Sequence, residues 1–202
     1  MRSIGEDHGL KVKAIAGSYV VLLGWDMDAA RIRTDGVLGF SISRKRHEDG
    51  EVIWLLGMKT FASVNANPDQ GTLVSSFLHP FQTFQWADYT ASPDKTYTYT
   101  VVARTGAPGN LSNGPSVSLE VTTERVDLGK HAVFFNRGAV ASQEYARRFQ
   151  NKKPEEWGQE AYDWLSRGLI ESLEAFIKQA DAGDDLFGAF FEFKNKRIYA
   201  AL

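Results

Sequence analysis

The 202-residue sequence contains no cysteine. That absence excludes a disulfide framework, a thiolate nucleophile and a cysteine-based zinc site, and it fits a reducing cytosol. Excess charge is lacking too: 23 Lys and Arg stand against 25 Asp and Glu, a formal net charge of −2. The balance holds regionally, with 12 basic and 13 acidic groups in residues 1–125 and 11 and 12 in residues 126–202. Such balance argues against a polyphosphate-binding face as the main business of the chain. Long apolar runs are missing near the N-terminus. Glu6 and Asp7 sit where a signal peptide would be apolar, and Tyr19–Leu23, the longest apolar stretch nearby, is only strand length. A cytoplasmic protein is the expectation. No Gly-x-Ser-x-Gly frame surrounds Ser142 or Ser166, and no glycine run resembles a phosphate-binding loop.

What is present is a good supply of large side chains. Apolar residues make up 43% of the chain and aromatics 12%, enough to fill more than one small core. The first 125 residues read as strands. Leu10–Ile15 alternates apolar and polar, Tyr19–Trp25 is rich in β-branched and aromatic residues, and Phe40 and Ile42 share one face of Leu38–Ser43. Val52–Leu56, Thr96–Ala103 and Ser116–Thr122 continue the pattern, separated by polar, Gly- and Pro-bearing turns. The register of Phe77, Phe84 and Trp86 is not fixed by this pattern. No helical period shows anywhere in the span, and residues before Leu10, His8 included, read as unstructured. Short strands with a turn every 8–12 residues indicate an antiparallel sandwich.

Trp25 late in the second strand resembles the buried core tryptophan of fibronectin type III domains. The run Tyr97-Thr-Tyr-Thr-Val-Val-Ala103, a Ser/Asn/Gly/Pro loop and Val117–Thr123 are similar to the last two strands of that fold. The resemblance implies a fibronectin type III/immunoglobulin-like β-sandwich over 1–125, with Tyr97 as a corner tyrosine whose hydroxyl bonds back to the chain. It implies nothing about function, since this sandwich carries many roles.

Residues 126–202 are patterned differently. Ser142 can cap a helix with Glu144 in its first turn, and Asn151–Pro154 ends it. Over Ala161–Ala180 the residues Tyr162, Leu165, Leu169, Leu173, Phe176 and Ala180 form one apolar stripe of a single helix, widened by Trp164, Ile170 and Ile177. Gly168 within it costs roughly 1 kcal/mol against alanine and is expected to permit a close helix contact. Leu186–Phe193 is nearly all apolar and reads as a strand buried on both faces, as in a parallel sheet. Such a strand needs neighbours, so a truncated or partner-dependent chain is expected, with self-association where the covering domain is missing.

The ordered blocks His131–Phe149, Ala161–Ile177 with its Trp-Leu-Ser-Arg-Gly-Leu core, and Phe190–Phe193 resemble the lead-in of bacterial phospholipase D-like proteins. That superfamily of HxKxxxxD phosphodiesterases uses a histidine nucleophile and no metal. The resemblance covers roughly residues 130–202. It implies a chain that is mostly β plus α: a sandwich at 1–125, then at 126–202 a helical lead-in and the first strand of a phospholipase D-like α/β domain. It further implies a non-catalytic region that positions or recognises substrate or partner for a downstream catalytic domain or partner chain. Phospholipid or nucleic acid would be met only through the parent hydrolase. None of His8, His47, His79 and His131 is followed by lysine two positions later, so no catalytic residue, cofactor or metal ligand carries over, and the isolated chain is expected to be inactive. The alternatives are a standalone sandwich adaptor or one chain of a split phosphodiesterase.

The candidate contacts to a phosphate or a partner are Arg137, Arg147, Arg148 and Arg167, with Lys152 and Lys153 nearby. Glu144, Glu155, Glu156 and Glu160 lie close enough to make this a solvated helix face instead, and Arg167 is placed to pair with Asp163 or Glu171. Trp25, Tyr97 and Trp164 are assigned to the core. Asp26, Asp28 and Asp35 make at most a weak carboxylate group, and a solvated loop is the simpler reading. Trp54, Phe81, Phe84 and Trp86 either line a groove or fill the core.

Overall fold

Arg2–Asp7 (β1) and Leu10–Ala16 (β2) form a hairpin whose register runs from Arg2 opposite Ile15 to Asp7 opposite Leu10. Its two turn residues, His8 and Gly9, have φ of 45° and 81°, the pair of positive angles that a two-residue hairpin turn needs. The N-terminus is therefore a strand and not the unstructured lead expected. Its side chains give little sign of this, because β1 is an edge strand of mostly polar residues. This computed structural model describes residues 1–69, 71–137 and 143–202. The chain divides into two units, Met1–Val126 and Asp127–Leu202.

In the first unit, Val21–Met27 (β3) continues the sheet and is followed by a short helix, Ala29–Thr34 (α1). Asp28 caps α1 by accepting from the N–H groups of Ala30 (2.8 Å) and Arg31 (3.0 Å). That role, local and structural, accounts for one of the carboxylates weighed as a weak cation site. Then come Gly39–Arg46 (β4), Val52–Trp54 (β5), the two-residue strands Leu56–Gly57 (β6) and Val74–Ser75 (β7), and Gln85–Asp88 (β8). Thr96–Ala107 (β9) and Asn110–Thr122 (β10) close the unit as a long hairpin. One antiparallel sheet has the order β1-β2-β3-β8 and the other β10-β9-β4-β5, while β6 and β7 pair with each other.

The inner faces of the two sheets meet in one core. Leu10, Val12, Ala14, Val21, Leu23 and Trp25 from the first sheet join Phe40, Ile42, Tyr97, Tyr99, Val101, Leu119 and Val121 from the second. Alternation explains the set, since every second residue of a strand faces the same side. Trp25 packs on Phe40 with ring centroids 5.5 Å apart. Tyr97 is buried and its hydroxyl accepts from the Ser92 N–H (3.0 Å), a bond back to the chain five residues upstream. Of the four aromatics weighed as groove or core, Phe81 is buried, Trp54 and Trp86 are half-buried and Phe84 is exposed.

The second unit is helical: Gln143–Phe149 (α2), Pro154–Trp157 (α3), Gln159–Ser166 (α4), Leu169–Ile177 (α5) and Lys196–Ala201 (α6). The Ser142 cap and residues 138–142 of the resemblance lie outside the described residues. The single helix read over 161–180 is two helices, because Arg167 and Gly168 both take left-handed backbone angles, φ 50° and 82°. Gly168 is thus the break itself and not a packing notch. Leu186–Phe193 forms no strand. An extended segment becomes a strand only by pairing its backbone, and no described strand of this unit offers an edge to it. The first strand of an α/β domain is accordingly not formed here.

Candidate functional site

Charged side chains gather in both units, and the gatherings differ in kind. In the first, Arg44 continues the inward face set by Phe40 and Ile42, which carries a guanidinium into the sandwich. Arg44 is 4% exposed and Asp88 is 3% exposed. They meet at 3.0 Å, and Arg44 also donates to the Thr90 hydroxyl (2.6 Å). The Asp88 carboxylate accepts further from the Tyr99 hydroxyl (2.8 Å) and from the N–H and hydroxyl of Thr90 (2.8 and 2.6 Å). Burial pulls Arg44 down, and the adjoining Asp88 carboxylate more than offsets it. Burial, then Asp88, pushes Tyr99 far up, so its hydroxyl stays a donor. The cluster joins β4 and β9 of one sheet to β8 of the other. It holds the sandwich together and presents no surface to a ligand.

In the second unit the core is aromatic. Tyr145, Phe149 and Ala161 are buried, and Trp157, Trp164 and Leu165 pack on them. Phe149 meets Trp157 and Trp164 edge-on at 5.4 and 5.7 Å. The structure brings three of the sequence candidates to this core. The Arg137 guanidinium lies 4.4 Å from the Trp164 ring centre and donates to the Trp164 carbonyl, and Arg148 lies over the same ring at 5.9 Å. Lys152 sits 5.5 Å from the Trp157 ring centre. Trp164 is therefore half core and half platform for cations.

Glu144 serves both neighbouring arginines. Arg147 donates through Nε (2.9 Å) and Nη2 (2.7 Å), and Arg148 through Nε (2.6 Å). These bonds, with Arg147 first, hold the Glu144 carboxyl down at about 2. Arg167 is not gathered with the others: it is the left-handed C-cap of α4, its N–H bonded to the Asp163 carbonyl. Glu171, one of its expected partners, accepts instead from the Ser166 hydroxyl (3.0 Å) and pairs with Arg197 (3.0 Å). Arg197 also grips Glu174 through Nε and Nη2 at 2.7 and 2.8 Å, tying α6 to α5.

Uncovered apolar surface is the other feature of this unit. Phe187 is 95% exposed, Phe191 is fully exposed, and Phe176, Phe190 and Tyr199 are more than half exposed. The charge pattern carried no signal for this. The apolar run 186–193 did, although it was read as a strand.

The histidines stay apart. His8 contacts Asp7 (2.6 Å) and His47 contacts Thr98 (2.8 Å), while among the described residues no three metal-ligating side chains converge. No described helix is long and apolar enough to cross a membrane.

No protein-family model matches the chain, and no curated protein matches it. Among solved structures it is similar to one titled "Myokine structure", at 16% identity over 56% of this chain and 93% of that one, with a TM-score of 0.37. It is also similar to a computationally redesigned β-sandwich protein (14% identity, 65% and 98% of the two chains, TM-score 0.38). A third is the fn3 domain of human contactin 1 (16% identity, 64% and 87%, TM-score 0.33). The sandwich itself is established by the strand pairing described above.

Proposed function

We propose that this chain is a non-catalytic recognition and positioning region that works with a phospholipase D-like phosphodiesterase domain, its second unit forming the seat for that domain. The observation that supports this reading is the aromatic segment 186–193, with Phe187 and Phe191 open to solvent beside helices of the unit that resembles the superfamily's lead-in. A soluble surface seldom leaves aromatic side chains clustered and uncovered without something that covers them. The Arg137, Arg148 and Trp164 group is the contact this reading assigns to a partner or a phosphate. The alternative, a standalone adaptor, draws support from the first unit, whose sandwich has a complete core of its own.

Two measurements test this. The reading frame that encodes the chain, or a gene beside it, is searched for HxKxxxxD motifs, and the domain that bears them is mixed with the chain. The expected result is a stable complex in which Phe187 and Phe191 become protected, while the chain by itself hydrolyses neither phospholipid nor nucleic acid and self-associates in sedimentation. A clean monomer that ignores such a domain would replace this reading with the adaptor.

A further inference from the structure

The connection between β5 and β8 folds back over the outer face of the β10-β9-β4-β5 sheet. It is anchored there by Ser41, whose hydroxyl donates to the Ser76 carbonyl (2.6 Å), and by the Ile42 N–H, which donates to the Ser76 hydroxyl (3.2 Å). This places the Phe77 ring 4.3 Å from the guanidinium carbon of Arg104. Arg104 alternates with the inward residues Tyr99, Val101 and Ala103 and so belongs to the outer face, yet it is only 2% exposed. Unlike Arg44, it has no carboxylate in ion-pair range among the described residues. Its partners are the Asn113 side-chain oxygen and the Phe77 ring, and its Nε is buried without an acceptor. A guanidinium out of water with no counter-charge is a costly arrangement, and burial accordingly pulls its pKa below the ordinary value.

Arg104 borders a cavity of about 310 Å³ whose other walls include Val64, Phe77, Leu78, His79 and Leu111. The size is at the low end for small-molecule sites, and the mix of apolar walls with few polar groups is typical of them. His79 Nδ1 accepts from the Phe61 N–H (3.2 Å), so the neutral ring carries its hydrogen on Nε2 and has a second donor to offer.

We propose that this cavity is a binding site for an organic carboxylate with a small apolar body, the carboxylate pairing with the Arg104 guanidinium and the body lying among Phe77, Leu78, Val64 and Leu111. The planar guanidinium edge matches a carboxylate, and the ligand supplies the missing counter-charge. A phosphate dianion fits less well, since one arginine and a neutral imidazole do not balance it and apolar walls would strip its hydration. The same chemistry is offered by a free organic acid and by the C-terminal residue of a peptide.

The test titrates the full chain with 3-phenylpropionate, 3-phenylpropionamide and inorganic phosphate, following the Phe77, Leu78 and Leu111 resonances. The expected result is saturable shifts with the acid and affinity weaker by about tenfold or more for the amide and for phosphate. A peptide ending in leucyl-phenylalanine, free or amidated at its C-terminus, separates the two sources: tighter binding of the free peptide than of 3-phenylpropionate assigns the site to chain ends, and weaker binding assigns it to free acids. Arg104→Met is expected to fold with an equal or higher Tm, because it removes an unpaired buried charge, and to bind acid and amide alike. Equal binding of acid and amide by the unaltered chain overturns the proposal, and that comparison needs no variant to fold. So does phosphate binding as tight as the acid, or the absence of any saturable shift.

Discussion

Two buried arginines on neighbouring strands of one sheet show how a single partner changes the meaning of a charge. Arg44 has Asp88 at 3.0 Å, and the pair spans the sandwich with Tyr99 and Thr90 filling the remaining valences of the carboxylate. Arg104 has an amide oxygen and a ring. Removing Asp88's charge therefore leaves the buried Arg44 only the half-exposed Glu51 at 3.4 Å, whereas removing Arg104 relieves an unpaired cation. Asp88→Ala is expected to cost about 3–5 kcal/mol, the penalty for breaking a buried pair from one side. The joint replacement of Arg44 by Met and Asp88 by Leu is expected to cost far less, since it leaves no orphan behind. Urea denaturation of the two variants decides this: equal losses would mean that the pair stabilises by mutual attraction and not by compensating burial.

At the scale of elements, the junction of α4 and α5 is a place where backbone geometry overrules side-chain periodicity. The stripe from Tyr162 to Phe176 keeps its three- and four-residue spacing straight through Arg167 and Gly168, so apolar spacing reads as one helix. The left-handed φ of 82° at Gly168 makes it two. The two geometries predict opposite signs for Gly168→Ala. In a continuous helix the change would stabilise by about 1 kcal/mol. In the observed break it is expected to destabilise by about 1–2 kcal/mol, the cost of a left-handed L-residue, because Phe134 at 3.8 Å from an added Cβ is an ordinary contact and adds no clash. The melting temperature of the helical unit reports the sign directly.

The same contrast explains which elements were legible in the sequence. The inward sets Phe40 and Ile42, and Tyr97, Tyr99, Val101 and Ala103, were readable because alternation is a local property that burial on one face imposes. Arg44 was readable in principle, since it stands two residues beyond Ile42 on the same face. β1 was not, because an edge strand of polar residues is held by backbone bonds to β2 and leaves no apolar pattern. Leu186–Phe193 misled for the opposite reason: its apolar composition suits a strand, but pairing depends on a neighbour that local composition does not encode. Of the candidate arginines, the sequence foretold the acid at Glu144 but not the Trp164 ring that collects Arg137 and Arg148. The Arg104 cavity depended on the path of a long connection, which no period describes.

For the whole molecule, each unit has its own core, and the two cores are secured differently. The sandwich is held by backbone ladders and a wide apolar interior, whereas the helical unit fastens its last helix through carboxylates. Arg197 bonds hold Glu174 below its ordinary value; at Glu171 the backbone N–H comes first, with Ser166 and Arg197 adding to it. Glu144 sits at about 2 under Arg147 and Arg148, but those pairs lie within α2 and tie no element to another. In the sandwich, Asp49 is also held at about 2, by Arg46, but that pair lies three residues apart on an exposed turn and ties no element to another. A carboxylate whose folded pKa is depressed stabilises the fold above its ordinary value and ceases to do so as pH falls through the folded one. As pH falls below the ordinary carboxylate value of about 4.5, protonation of Glu171 and Glu174 is therefore expected to loosen the hold on α6. Amide exchange at Ile198, buried on α6, should accelerate below that value while Val101 on β9 stays protected. Added salt at neutral pH should move Ile198 in the same direction, because the Arg197 pairs are exposed enough to be screened. Loss of protection at both sites together, or at Val101 first, would show that the carboxylates of α5 are not what holds α6 in place.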